Sequence, residues 1–485
     1  MNKTKAPAKL KHELGLLDGT MLVAGSMIGS GIFIVSADIT QKVGSAGWLI
    51  FVWIITGFMT ITAAVSYGEL SGMYPKAGGQ YVYLKEAYNK LIGFLYGWSF
   101  FAVIQTGTIA AVGVAFSKFL AYLKIFHWAS EDNILLSTNI GNWHFTISAA
   151  QLVSIVVIIF LTFVNTRGVK TGKLVQNTFT ITKLLSLFGL IVFGLLAIKG
   201  DIWHANWNDA WNIHQLKKDG SFAGGYVMAA ALGAIAAAMV GSIFSSDAWN
   251  NVTFIAGEMN NPKRNIGLSL FFGTLIVSII YISANVMYTG TLSMHDIAAA
   301  PKGRVAVSAA QAIFGNAGTY VIAVMIMIST FGCNNGLIMA GARVYYTMAK
   351  DGLFFKRTGE LNKFAVPGFG LWIQALVAAI LCLSGEYGDL LDMISFVAVL
   401  FYVLTIVGIF ILRKRQPNAE RPYKAFGYPF LPAIYVLMGT AFCILLLIYT
   451  GAYALGGLAI VLIGIPIYFI AQRNSKNGDQ TGVVS

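Results

Sequence analysis

The sequence predicts an all-α integral membrane protein of twelve transmembrane helices, with a five-plus-five inverted repeat and discontinuous helices 1 and 6. Three observations carry this reading. Of 485 residues, 57% are hydrophobic and only 11% charged, against about 25% charged in ordinary soluble domains. Apolar stretches near the roughly 20 residues that cross a bilayer recur as far as residue 471. Two of them, in corresponding positions of two halves, are broken by small and polar residues, the pattern of a membrane site at a repeat interface.

The spans are predicted at 15–37, 46–72, 91–123, 148–165, 175–198 and 226–257, then at 266–290, 317–345, 368–384, 389–412, 431–451 and 453–471. Spans 1–5 (15–198) and 6–10 (226–412) form the two halves of a core over 15–412. A basic loop, 413–430, precedes spans 11 and 12 (431–471), and tails occupy 1–14 and 472–485. The stretch MNKTKAPAKLKH leads into span 1 without a short apolar core and A-x-A site, so it reads as a tail rather than a signal peptide.

Lysine and arginine placement sets the orientation. With the N-terminus inside, 24 of the 33 lie on the inner side and eight outside, and Lys183, in span 5, completes the number. Both termini are therefore expected in the cytoplasm of a multi-pass protein of the cell's inner (plasma) membrane. The net charge of +13 is topological and calls for a lipid bilayer, not nucleic acid. The run Arg413–Arg415 reads as a topology determinant, with attraction to anionic inner-leaflet lipid as the alternative. Cys333, Cys382 and Cys443 fall inside apolar stretches, where they serve as packing residues. In the outer loop 199–225, Trp203, Trp207 and Trp211 are spaced four apart. That pattern suits an interfacial anchor.

The stretch GSMIGSG, residues 25–31, lies in mid-span. Gly25 and Gly29 fit a small-xxx-small packing pattern. Gly31, Ser26 and Ser30 exceed it and point to local unwinding, which a membrane tolerates only under protein or beside a water-filled cavity. Unwinding places the N–H groups of Ser30 and Gly31 at the head of a second half-helix, where an anion is favoured. Span 6 is too long for one crossing: its 32 residues make about 48 Å of helix against about 30 Å of hydrocarbon. At its centre lies FSSDAWN, 244–250, whose Asp247 costs roughly 3 kcal/mol there. Free donors at one break and free carbonyls at another suit a zwitterion such as an α-amino acid.

Lys183 lies about 8 Å inside the cytoplasmic boundary of span 5. It either snorkels or supplies a fixed cation between spans 1, 5 and 8. Glu69 and Glu258, at the inner ends of spans 2 and 6, could relay protons, but partnership with arginine or backbone is the simpler reading.

These residues resemble the amino acid–polyamine–organocation superfamily, and within it the L-type amino acid transporters and bacterial amino acid exchangers. The resemblance rests on GSMIGSGIF at 25–33, SYGELSGMYPKAGGQYVYLKEAY at 66–88, FSSDAWNNVTFIAGEMNNPKRNIGLSL at 244–270, span 5 with Lys183, and STFGCNNG at 329–336. It implies alternating access, with substrate held by Met27, Ile28, Gly29, Ser30 and Gly31 of span 1 and by Phe244, Ser245, Ser246 and Asp247 of span 6. The carboxylate would meet the N–H groups of Ser30 and Gly31, the ammonium the carbonyls of Met27, Phe244 and Asp247, and Phe244 would gate the site. Lys183 would replace a sodium ion near Ser329, Thr330 and Cys333.

Two positions depart from the family pattern. Ser246 stands where many relatives carry an aromatic, and Ala248 where many carry glycine, so the pocket shape differs. The loop 124–147 lacks the cysteine that glycoprotein-linked animal members use, so no disulfide-linked accessory subunit is expected. The expected substrates are small and medium neutral L-amino acids, with Asp247 leaving a cationic one open. Sodium-independent exchange is the expected activity and a proton-coupled symporter the alternative.

Enzyme motifs are missing: there is no HExxH, cysteine cluster or G-x-S-x-G elbow. The six histidines fall in the tail or outer loops. No cofactor or metal is expected. Charged rings or filter repeats that would indicate a channel are also absent from the sequence.

Overall fold

The computed structural model describes residues 12–140, 143–384, 387–449 and 451–480. Most of the tail assigned to 1–14, and residues 481–485 of the tail assigned to 472–485, lie outside the described residues.

Helix α1 (Leu16–Met27) meets α2 (Gly31–Val43) at 41°. Helix α3 (Ala46–Met73) follows, then α4 (Gln80–Ala87), α5 (Lys90–Ser99) and α6 (Gln105–Leu120). A π turn over Phe100–Ile104 joins α5 to α6 as one long run. A hairpin of β1 (Ile134–Ile140) and β2 (Trp143–Ser148) leads to α7 (Ala149–Asn165), α8 (Val169–Leu196) and α9 (Gly200–Asn208). A second hairpin, β3 (His214–Leu216) and β4 (Phe222–Gly225), precedes α10 (Met228–Ser245), α11 (Asn251–Phe254) and α12 (Pro262–Thr291). The chain continues through α13 (Met294–Ala298), α14 (Val305–Lys350), α15 (Gly368–Ser384), α16 (Tyr387–Arg415), α17 (Phe430–Tyr449) and α18 (Gly451–Gln480).

Among the described residues, eight helices are long and apolar enough to cross a membrane, or nine if α1 and α2 make one bent span. Three shorter apolar helices lie in α7, α10 and α15. Local chemistry explains several boundaries. A reciprocal capping box of Ser148 and Gln151 starts α7, and Pro262 opens α12 at its first turn. Helix α2 ends on Gly44, whose left-handed backbone (φ 72°) returns its N–H to Thr40 O at 2.8 Å.

The stretch 226–257 is not one helix. Helix α10 stops at Ser245, and Ala248 adopts a left-handed backbone (φ 62°) that α-helix cannot continue through. The all-α reading needs one amendment, since two hairpins occupy the sequence between spans 3 and 4 and between spans 5 and 6, too short to register in a span-length hydropathy window. Span 8 is likewise the inner part of a longer run, α14, broken at Gly315. Trp203 and Trp207 share α9, their rings 5.1 Å apart. Trp211 lies beyond it and accepts, through its carbonyl, the indole N–H of Trp48 at 2.9 Å.

Apolar side chains face outward along α8, among them Leu174, Leu185, Phe188 and Leu196. The interior carries fully buried Trp53, Tyr67, Tyr81, Tyr96, Tyr281 and Tyr345. Helix α1 packs between α8, α12 and α14, while α2 lies along α10. That arrangement brings the break between α1 and α2 beside the end of α10.

Candidate functional site

The site is built from backbone that has left the helix. After Met27 the Gly29 N–H turns to Met27 O at 2.8 Å, so Gly25 O lacks the N–H it would take in a continuous helix. Side chains from three other helices reach the carbonyls of this segment. Lys183, from α8, donates to Gly25 O at 2.5 Å and Ile28 O at 2.6 Å, with Ser329 O at 3.5 Å. Ser329, from α14, donates its hydroxyl toward Ile28 O (3.1 Å) and Gly29 O (3.3 Å), and the Cys333 thiol donates to Ser26 O at 2.9 Å. Tyr281, from α12, places its hydroxyl 3.0 Å from Met27 O and 2.9 Å from Ser245 O, spanning the two breaks.

Lys183 is buried and has no carboxylate partner among the described residues. Among the described residues its hydrogen-bond partners are the backbone carbonyls of Gly25, Ile28 and Ser329. Thr330, grouped with Ser329 and Cys333 from the sequence, turns its hydroxyl back to Ile326 O and Met327 O of its own helix. It sits one residue from the cluster without a hydrogen bond into it.

The glycines of the opening segment permit close approach. A Cβ on Gly31 would collide with the Ser245 side chain and lie 3.0 Å from Ser245 Cα. Helix α2 therefore starts directly against the end of α10. Ser30, Gly31, Phe244, Ser245 and Ser246 are all buried around this junction.

On the other side of the junction, Asp247 follows the last turn of α10, its N–H reaching Phe244 O at 3.2 Å. Its carboxylate accepts the hydroxyl of Tyr402 from α16. Trp249 packs edge-on to Tyr67 (4.7 Å between centroids) and beside Tyr402 (5.2 Å). The Asn250 amide donates to Gln80 Oε1 at 2.8 Å. Two small cavities flank the Asp247–Tyr402 pair, one lined by Gln80, Tyr96, Gln105 and Asn251, the other by Thr56, Thr60, Ser246 and Trp249. Each has room for about one water molecule.

Glu258 and Glu69 are both ion-paired. Arg343 donates to Glu258 at 2.9 Å with both side chains buried. Glu69 accepts from Arg413 (2.7 Å), Arg421 (3.2 Å) and the Ala425 N–H (2.7 Å). Glu258 also offers its carbonyl to the N–H groups of Glu13 (3.0 Å) and Leu14 (3.1 Å), tying the start of α1 to this corner.

Sequence reasoning missed Tyr281, Tyr402 and Gln80. Each is a polar side chain in an apolar or helical stretch, and only tertiary contact separates such a residue from ordinary aromatic or amide packing. No group of three or more histidine, cysteine, aspartate or glutamate side chains suited to a metal occurs among the described residues.

Comparison with known proteins shows the family. The family model for amino acid permeases matches residues 14–471. The chain is 30% identical over 464 residues to the serine/threonine exchanger SteT of Bacillus subtilis (strain 168), covering 95% of this chain and 97% of that one. It is 28% identical to the human large neutral amino acids transporter small subunit 2, over 95% of this chain and 80% of the relative. It is also 28% identical to the human Asc-type amino acid transporter 1, over 95% and 82% respectively. With the family model matching 14–471 and a relative 30% identical over 95% of the chain, the chain belongs to the amino acid permease family of the amino acid–polyamine–organocation superfamily.

Proposed function

We propose that this protein is a sodium-independent exchanger of neutral L-amino acids, working by alternating access with substrate held on the backbone at the breaks of spans 1 and 6. The family and the relatives are amino acid transporters, and the exchange named for SteT favours antiport here. The finer reading rests on one observation above others: the Lys183 ammonium occupies the carbonyl cage of Gly25 and Ile28, flanked by Ser329, where a transported cation could otherwise sit. A covalently attached charge there makes a sodium ion redundant. The N–H groups opening α2 at Gly31 are oriented for the substrate carboxylate. Met27, Phe244 and Asp247 carbonyls are the proposed partners of its ammonium, and Phe244 its gate.

The proposed topology is twelve spans in the cell membrane with both termini cytoplasmic, two inverted five-helix repeats over 15–198 and 226–412, and spans 11 and 12 outside them. Eight or nine long apolar helices plus three shorter ones are compatible with that number. No disulfide-linked subunit is proposed, because Cys333, Cys382 and Cys443 are all buried.

Counterflow in sodium-free proteoliposomes tests the function. Labelled alanine and leucine should enter only vesicles preloaded with unlabelled amino acid, at rates unchanged by sodium. Uptake into empty vesicles that rises with an inward proton gradient would replace this reading with a proton-coupled symporter.

A further inference from the structure

A second site lies at the opposite end of α8 from the exposed Leu196, where the loop 363–365 faces the turn between α7 and α8. The cleft there holds about 200 Å³. Its charged lining is Arg167, Lys170, Lys363 and Glu13. Three cations thus face one carboxylate, and Lys170 meets Glu13 only at 3.7 Å. Arg167 and Lys363 have no ion pair among the described residues, resting instead over the rings of Phe163 (4.5 Å) and Phe364 (5.2 Å).

The cleft is preformed. Asn362 donates to Thr166 O at 2.8 Å and accepts from the N–H groups of Phe364 (2.9 Å) and Val366 (3.3 Å), pinning the loop to the end of α7. Helix α8 begins at the cleft with Gly168 as its N-cap and no side-chain cap. Its first-turn N–H groups therefore add positive potential to that of the three side chains. The flanks are apolar and exposed: Phe163 on α7 and Leu174, one turn beyond Lys170 on α8. Basic pockets between membrane helices beside such surface hold anionic headgroups.

We propose that this cleft is a binding site for a phosphate-bearing anion, held by Arg167, Lys170 and Lys363. The chemistry is shared by an anionic phospholipid headgroup and a soluble phosphate. The position at the start of α8, a helix long and apolar enough to cross a membrane, and the exposed apolar flanks favour the headgroup. The site is separate from the transport cage around Lys183, and its occupancy does not depend on the exchange mechanism.

Native mass spectrometry of the purified full chain tests it, with dioleoylphosphatidylglycerol and dioleoylphosphatidylcholine as probes, beside calorimetric titration with inorganic phosphate. The expected result is preferential retention of phosphatidylglycerol, weakened roughly five-fold for each cation removed in Arg167→Gln, Lys170→Gln and Lys363→Gln. Lys363→Glu, at an exposed position with no ion pair to lose, should weaken it further while leaving elution profile and thermal midpoint unchanged. The pair Lys217→Gln and Lys218→Gln, beside the β3–β4 turn, should change nothing. Phosphate binding that disappears in the same variants, without lipid preference, supports the site and assigns it to a soluble anion. Wild-type protein that prefers neither probe, or variants that hold both as the wild type does, overturn the proposal.

Discussion

The Lys183 Nζ atom lies 2.6 Å from the Ile28 carbonyl oxygen and replaces the backbone donor that the broken helix cannot supply. Gly25 O would accept from Gly29 N–H in a continuous helix. That N–H is instead committed to Met27 O, and the ammonium fills the vacancy at 2.5 Å. The lysine and the break are thus one structural device: the ammonium meets carbonyls that the break leaves open.

Removing the ammonium should therefore disable the break rather than the fold. Lys183→Ala leaves two buried carbonyls without their strongest donor, at about 1–3 kcal/mol each. The expected outcome is counterflow lowered at least about tenfold, with a lower thermal midpoint but unchanged elution on gel filtration. Wild-type exchange rates in sodium-free vesicles would show that the cage plays no part in turnover.

Tyr281 ties the two breaks together through one hydroxyl shared between Met27 O and Ser245 O. Tyr281→Phe keeps the ring in its packing and removes only that tie. A neutral hydrogen bond contributes about 0.5–1.5 kcal/mol, so thermal stability should fall slightly while half-saturation for substrate and turnover both shift. Unaltered kinetics on both faces of the membrane would confine Tyr281 to packing.

At Gly31 the prediction is steric. Gly31→Ala drives a methyl group into Ser245, whose Cα lies 3.0 Å from it, and should abolish exchange. Adding Ser245→Gly removes the overlapping Cβ and Oγ but leaves the backbone of residue 245 just as close, so partial recovery is expected. Exchange at wild-type rate in the single variant would mean that the junction of α2 and α10 opens far enough to accept a side chain.

How much of this was legible in the sequence depends on the range of the interaction. GSMIGSG and FSSDAWN are local departures from apolar helix, and the structure indeed leaves helix at Ile28 and beyond Ser245. Lys183 was conspicuous as a lone charge in a span. By contrast, Tyr281 and Tyr402 look like ordinary aromatic residues of apolar helices; the hydroxyl partners of Tyr281 lie 254 and 36 residues away, and that of Tyr402 lies 155 away. The two hairpins escaped notice because their strands have three to seven residues. Thr330 neighbours Ser329 in sequence, but the helical turn between adjacent residues points its hydroxyl to Ile326 O and Met327 O of its own helix.

Two ion pairs allow a comparison by burial alone. Arg343 and Glu258 are 1% and 0% exposed, whereas Lys263 and Glu420 are 50% and 77% exposed. Breaking the first with Glu258→Gln strands a buried guanidinium, at about 3–5 kcal/mol. Breaking the second with Glu420→Gln should change stability by less than about 1 kcal/mol. Thermal unfolding of the two variants in one detergent checks this. Equal midpoints would mean that water reaches Arg343 in the unliganded protein.

The Asp247–Tyr402 pair makes the last prediction, about selectivity of the site rather than its stability. Asp247 is 8% exposed, has no ion pair among the described residues and accepts the Tyr402 hydroxyl from α16. Its carboxylate is thereby oriented by a helix outside the two breaks, with Trp249 and Tyr67 walling the same space. If the hydroxyl positions the carboxylate for substrate, Tyr402→Phe and Asp247→Asn must act through one another. Their effects on kcat/KM for exchange should then be non-additive by about 0.5–3 kcal/mol, as for residues in direct contact. Steady-state counterflow of alanine, with lysine as competitor, measures both the cycle and any change in tolerance for a cationic side chain. Additivity within about 0.5 kcal/mol would show that the hydrogen bond holds α16 in place without shaping what the site accepts.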